Sequence, residues 1–216
     1  FGESFVPIDE HGAPLTDIIM YFANSQSGEF DELVQRVGEE TIMRITRVLP
    51  DASYSLAKML YTLRVASRPV WKFLPVAAYV CYRLSGAVTT DVSLACRTLL
   101  YDVQQREWSA ELLEASGVEL DQLPEVCATG TAVGTLRPEI AQALGLRESV
   151  RVVAGSHDQI VNALACGVAS PGDGANVSGT CECIEPLFSG IPQDFGFTRV
   201  NFACVPYLYD AGYVTY

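Results

Sequence analysis

The stretch from Val152 to Thr180, VVAGSHDQIVNALACGVASPGDGANVSGT, limits what this chain can fold into more than any other part of it. Val152, Val153 and Ala154 make a short apolar run that reads as a buried strand, and Gly155 breaks it ahead of the polar cluster Ser156, His157, Asp158 and Gln159. From Ile160 the apolar residues Ile160, Val161, Ala163, Leu164 and Ala165 predict a helix with a broad apolar face, which Gly167 is placed to end. A strand feeding a helix through a glycine turn puts Asp158 near the helix N-terminus, where free N–H groups and the macrodipole favour a carboxylate or a bound anion. An ordinary N-cap by Ser156 or Asp158 would read the same way. Asn176 to Thr180 adds a second strand that runs into Gly179-Thr180, where backbone N–H groups can approach a phosphate and the hydroxyl adds a donor.

The chain has 216 residues, 49% of them hydrophobic, enough to bury a sizeable core in one large or two small domains. With 14 basic against 26 acidic residues, its net charge of −12 argues against a general affinity for nucleic acid or for an anionic membrane surface. A small neutral substrate fits better. No apolar run reaches the roughly 18 residues that would span a bilayer. The strongest, Trp71 to Leu84, is interrupted by Lys72, Pro75 and Arg83. The cysteines number seven, an odd count, and most lie in apolar runs, which reads as reduced, buried thiols of a cytoplasmic protein. Cys181 and Cys183 would share one face of an alternating strand, but no second Cys or His pair at ligand spacing supports zinc.

Along the chain, Ser4 to Ile8 and Ala13 to Phe22 flank Asp9-Glu10-His11-Gly12 and predict a β-hairpin with His11 at its tip. Two short amphipathic helices broken near Gly38 should follow, then a helix from Leu56 to Leu63 with a Ser or Asp cap and Lys58 on its polar side. Pro69 to Phe73 and Val76 to Leu84 read as two more short helices, the second closed by Gly86. Asp91 and Ser93 can cap the next turn, and Arg97 reads as a structural ion-pair or backbone-carbonyl partner rather than a catalytic group. Helices are expected over Ala110 to Ser116, stopped by Gly117, and Pro138 to Leu144, stopped by Gly145, with a strand at Val133 to Leu136 between them. After Thr180 the pattern turns to strands at Cys181 to Phe188, Phe197 to Pro206 and Gly212 to Tyr216.

Several of these pieces resemble one family in their order. G-S-H-D-Q, an Ala-rich helix and a later S-G-T resemble the FGGY carbohydrate kinases, which include xylulose, gluconate and glycerol kinases. The pieces YVCYRLSG from Tyr79, VTTDVSLACRT from Val88, and Tyr101-Asp102 with Trp108-Ser109 resemble that family's D-Y-L-x-Y-R-L-T-G, T-D-Y-S-x-A-S-R-T and L-Y-D…W-S patterns. Ala78 stands where the family usually carries an aspartate. The resemblance implies an α/β, actin-like or ribonuclease-H-like ATPase fold. It divides the chain into part of a sugar-binding lobe over 1–168, a hinge at 169–174, and the beginning of a nucleotide-binding lobe over 175–216. Asp158 is then the general base and a magnesium ligand, Gln159 and Tyr54 touch the sugar, and Gly179 and Thr180 hold the ATP phosphates. ATP and Mg²⁺ are the implied cofactors, with a sugar as substrate and a homodimer as a further possibility.

The family's Asp-Gly-Thr phosphate loop would lie ahead of Phe1, so the chain by itself is expected to have little or no kinase activity. A ketopentose such as xylulose is the favoured acceptor. The rival expectation is a non-catalytic sugar-binding or structural module built on a kinase-like scaffold, which would bind sugar without any dependence on nucleotide. His157, next to the implied base, reads as structural, because sequence neighbours on a turn usually point apart.

Overall fold

The computed structural model describes residues 2–20, 27–179, 182–208 and 212–216. Strand β1 (Phe5–Ile8) pairs antiparallel with β2 (Lys72–Pro75), Phe5 opposite Pro75 and Ile8 opposite Lys72. Among the described residues the expected N-terminal hairpin is reduced to one bridge, Ile8 to Pro14, around a turn in which Asp9 Oδ1 accepts from His11 N at 3.0 Å and Ala13 N at 2.9 Å; Tyr21 and Phe22, the end of its second arm, lie outside the described residues. β1 takes its main partner from the segment expected as a Pro69 to Phe73 helix. Phe73 and Leu74, both fully buried there, gain more by filling the sheet's two faces than a one-turn helix could offer.

Helices α1 (Ser27–Val37) and α2 (Glu39–Thr46) break at Gly38, whose φ of 89° suits glycine. They pack with α3 (Ser55–Val65) and β1 over one core that includes Phe5, Phe30, Leu33, Ile42, Leu56 and Phe73. α3 is not capped by Ser or Asp, since Tyr54 is its N-cap and makes no side-chain cap bond. Lys58 does not face solvent either. It is wholly buried, and its Nζ donates to the carbonyls of Ser53 and Tyr54, the latter at 2.9 Å, so a lysine satisfies the turn before the helix. Burial, as the largest cause, lowers its pKa to about 8.

α4 (Val76–Ser85) ends at Gly86 in the left-handed conformation, β3 (Thr89–Asp91) leads into α5 (Val92–Cys96), and Asp91 caps α5. A two-residue ladder of β4 (Tyr101–Asp102) and β5 (Glu107–Trp108) precedes α6 (Ala110–Ser116). α6 is capped by Ser109 and closed by Gly117. β6 (Glu125–Cys127) runs parallel to β3, while β7 (Ala132–Thr135) pairs antiparallel with β8 (Arg151–Val153) across α7 (Pro138–Leu144). α8 (Asp158–Ala165) follows β8 through the Gly155 to His157 turn.

β9 (Gly174–Ser178), β10 (Glu182–Phe188), β11 (Cys204–Pro206) and β12 (Tyr213–Thr215) form an antiparallel sheet in the order β11-β12-β10-β9. The expected Phe197 to Pro206 strand is split, with its first part forming the short helix α9 (Gly196–Arg199). Phe197 packs tilted against Phe188 and edge-to-face against Phe202, an aromatic cluster that a helical turn brings together and an extended chain would spread apart. Between α8 and β9, Asp173 Oδ2 accepts from Ala169 N and Ser170 N at 3.1 and 2.8 Å, which lowers its pKa. A second core spans this turn, joining Ala95, Ile160 and Val168 to Leu187, Val205 and Val214. The cysteines among the described residues are free thiols, and no described helix is long and apolar enough to cross a membrane.

Candidate active site

Asp158 opens α8, and its side chain is 82% exposed. Its Oδ1 lies 3.0 Å from the Gln159 backbone N, so the carboxylate sits against the free N–H groups of the helix end. His157 precedes it as N-cap, with Nδ1 3.0 Å from Asp158 Oδ1. The His157 ring is buried and stacks on Tyr216 with centroids 5.1 Å apart and planes 24° apart. Burial, then the positive field of Arg97, lower its pKa to about 4, so the ring is neutral at pH 7. The Gly2 backbone lies so close that a Cβ there would come within 2.5 Å of His157 Nε2.

Tyr216 connects this turn to a cavity of about 740 Å³, whose walls include Glu3, Ser53, Tyr54, Arg97, Glu182, Ile184, Phe202 and Tyr216. Arg97 forms the floor chemistry. Its Nε donates to Glu3 Oε1 at 2.7 Å, and its Nη2 reaches the same oxygen. The guanidinium also lies 4.6 Å from the Tyr54 ring centroid and 5.2 Å from that of Tyr216. Burial opposes the Arg97 charge, but the fields of Tyr216, Tyr54 and Glu3 outweigh it and raise its pKa. Burial raises the pKa of Glu3, and Arg97 more than reverses this, leaving it lowered.

The residues singled out in the sequence fall into separate places. Tyr54 lines the cavity, but it is buried and one ring face is taken up by Arg97. Asp158 and Gln159 lie beyond the His157–Tyr216 stack and line none of the cavities described. Gln159 Oε1 is buried and has no hydrogen-bond partner among the described residues, nor has the Tyr216 hydroxyl. Gly179 is exposed just past β9, which packs against α8. Thr180, its implied partner for phosphate, lies outside the described residues.

Glu185 was not legible as part of this region. It is 0% exposed on β10, both carboxylate oxygens lack a partner among the described residues, and burial, then the charge of Asp158, push its pKa up to about 7. One signal was available, an acid in the same phase as Leu187 in an alternating strand. No group of three or more His, Cys, Asp or Glu that could hold a metal occurs among the described residues. Asp158 alone still suits Mg²⁺, which keeps several waters and needs only one or two protein carboxylates beside phosphate oxygens.

The fold matches solved structures of sugar kinases, proteins of the actin-like ATPase fold. It superposes on "ligand bound xylulose kinase from Lactobacillus acidophilus" with TM-score 0.87 at 18% identity, over 99% of this chain and 43% of that one. A gluconate kinase from the same organism gives 0.85 at 18%, again over 99% and 43%. In sequence, residues 1–165 match the N-terminal domain of the FGGY family of carbohydrate kinases, and the chain belongs to that family. "Putative sugar kinase YoaC" of Bacillus subtilis (strain 168) is 36% identical over 164 residues, 74% of this chain and 32% of that protein. The xylulose kinase of Staphylococcus xylosus is 25% identical over 166 residues, 76% and 34% of the two chains. The chain thus spans about a third of the length of these relatives.

Proposed function

We propose that this chain carries the acceptor half of an ATP-dependent kinase that phosphorylates a sugar or polyol hydroxyl, with a pentulose such as xylulose as the favoured substrate. The observation that carries this reading is the exposed Asp158 carboxylate at the N-terminus of α8, next to a Gln159 side chain whose buried oxygen has no partner among the described residues. A substrate hydroxyl supplies the donor that Gln159 Oε1 lacks. Asp158 accepts the proton of the attacking hydroxyl, a role typically worth ~10²–10⁴ in rate. The neutral His157 ring, walled in by Tyr216 and Gly2, fixes one side of that carboxylate without competing as a cation. Gly179 and Thr180 hold phosphate oxygens, and Tyr54 supports the sugar cavity by fixing Arg97.

Magnesium, held by Asp158 and phosphate oxygens, would neutralise charge on the transferring group. The lobes are 1–168 and 175–216, with 169–174 as the hinge whose closure excludes water. The protein is a cytoplasmic transferase that can pair with a second copy. Isothermal titration of this chain with D-xylulose, other ketoses, polyols and aldonates, with and without Mg·ATP, tests the reading. Sugar binding that Asp158→Asn weakens and Mg·ATP strengthens supports it. Sugar binding indifferent to nucleotide points to a binding module, and no binding by any of these compounds overturns the proposal.

A further inference from the structure

Besides the His157–Tyr216 stack, a buried hydroxyl, that of Ser93, ties the turn that presents Asp158 to the body of the protein. Ser93 is 1% exposed, and its backbone N donates to Asp91 Oδ1 at 2.8 Å. Ser93 Oγ bonds the same Asp91 oxygen, while Asp91 Oδ2 takes the Thr129 hydroxyl from the loop after β6. A serine hydroxyl has one proton. With that proton on Asp91, the remaining two contacts of Ser93 Oγ, the His157 backbone N at 2.9 Å and Ser156 Oγ at 2.8 Å, must both donate to it.

Capping of α5 accounts for the bonds from Ser93 N and Leu94 N to Asp91. It does not account for the two bonds that Ser93 Oγ accepts from groups 63 and 64 residues along the chain. Those bonds hold the His157 backbone N and the Ser156 hydroxyl, and the His157 ring in turn lies against Asp158 Oδ1. We infer that Ser93, held in orientation by Asp91, is a positioning residue for Asp158: it clamps the His157 backbone N and the Ser156 hydroxyl so that the carboxylate is presented in one orientation at the start of α8. The inference rests on the reading of Asp158 as general base for its functional meaning, but the clamp itself is measurable without catalysis.

The test uses this chain with Ser93→Ala, Ser93→Thr and Thr129→Val, read by amide hydrogen exchange and by the couplings that report χ1 of Asp158. Ser93→Ala should speed exchange of the His157 amide roughly tenfold, the scale of one lost backbone hydrogen bond. It should also average the Asp158 rotamer while leaving the amides from Ala163 to Ala165 unchanged. Ser93→Thr, which keeps the hydroxyl, should restore both signals. Thr129→Val should give a smaller change of the same kind, and it decides the matter if Ser93→Ala does not fold.

Exchange that rises only at Ser93 and Leu94, or evenly over the whole chain, would show a plain helix cap and overturn the inference. So would an Asp158 rotamer that ignores every variant. Loss of the base role would show separately, as phosphoryl transfer unaffected by Asp158→Asn in a kinase-competent version, with the clamp signals intact.

Discussion

Arg97 and Glu185 are both charged side chains taken out of water near the same turn, and the protein treats them in opposite ways. Arg97 has a carboxylate partner in Glu3 and aromatic rings on both sides. Glu185 has no partner among the described residues for either oxygen, and it lies within reach of a second negative charge on Asp158. A buried ion pair with complete partners costs its desolvation once and then holds its neighbours in place. A buried acid without partners lowers its own cost by keeping its proton near neutral pH. The Arg97–Glu3 pair is therefore framework, and Glu185 is where stability falls as pH rises.

Removing Arg97 should break that framework and give the largest effect. Arg97→Leu strands Glu3 and should cost about 3–5 kcal/mol, read as a lower denaturation midpoint. Arg97→Met combined with Glu3→Gln should cost less than Arg97→Leu alone, and equal costs would show that the pair is not what holds the region. Next comes His157, whose folded pKa of about 4 lies below the ordinary 6.5. Its contribution is complete above pH 6.5 and is lost as pH falls towards 4, by up to about 3 kcal/mol. His157→Phe should flatten thermal stability between those limits.

Glu185 should behave in the reverse sense. Its folded pKa of about 7 exceeds 4.5, so the stability linked to its proton is complete below pH 4.5 and is lost as pH rises through 7. Glu185→Gln should raise stability at pH 8 by up to about 3 kcal/mol, or Tm by roughly 6–12 °C, and change it little at pH 4. A lower Tm at pH 8 would mean that the carboxylate has a favourable partner, and the contrast with Arg97 would collapse.

The elements read most accurately were those with chemical stops at both ends. Ser109 and Gly117 bracket α6, while Pro138 and Gly145 bracket α7. Long-range pairing was hidden, because a local turn at Asp9 suggests a hairpin while the real partner of β1 lies at Lys72–Pro75. Periodicity also misplaced Lys58, since a helical repeat sends a charge to solvent and cannot see the two carbonyls waiting behind the helix start. In the candidate site, the Gly155 break and the Ala-rich run located Asp158 at a helix end. The ring contacts of Arg97 were beyond reach, and Glu185 left only its phase with Leu187 as a signal. They depend on Tyr216, Glu3 and a strand register that puts Ile184 outward and Glu185 inward.

The central claim is that the Asp158 carboxylate takes the proton of a sugar hydroxyl during phosphoryl transfer. A coupled kinase assay over ketoses, polyols and aldonates, run on this chain and on a version extended at both ends, with and without Asp158→Asn, tests it most directly. The account predicts transfer by the extended version that falls ~10²–10⁴-fold in the variant, with little or none from this chain alone. Transfer that survives Asp158→Asn undiminished would contradict it.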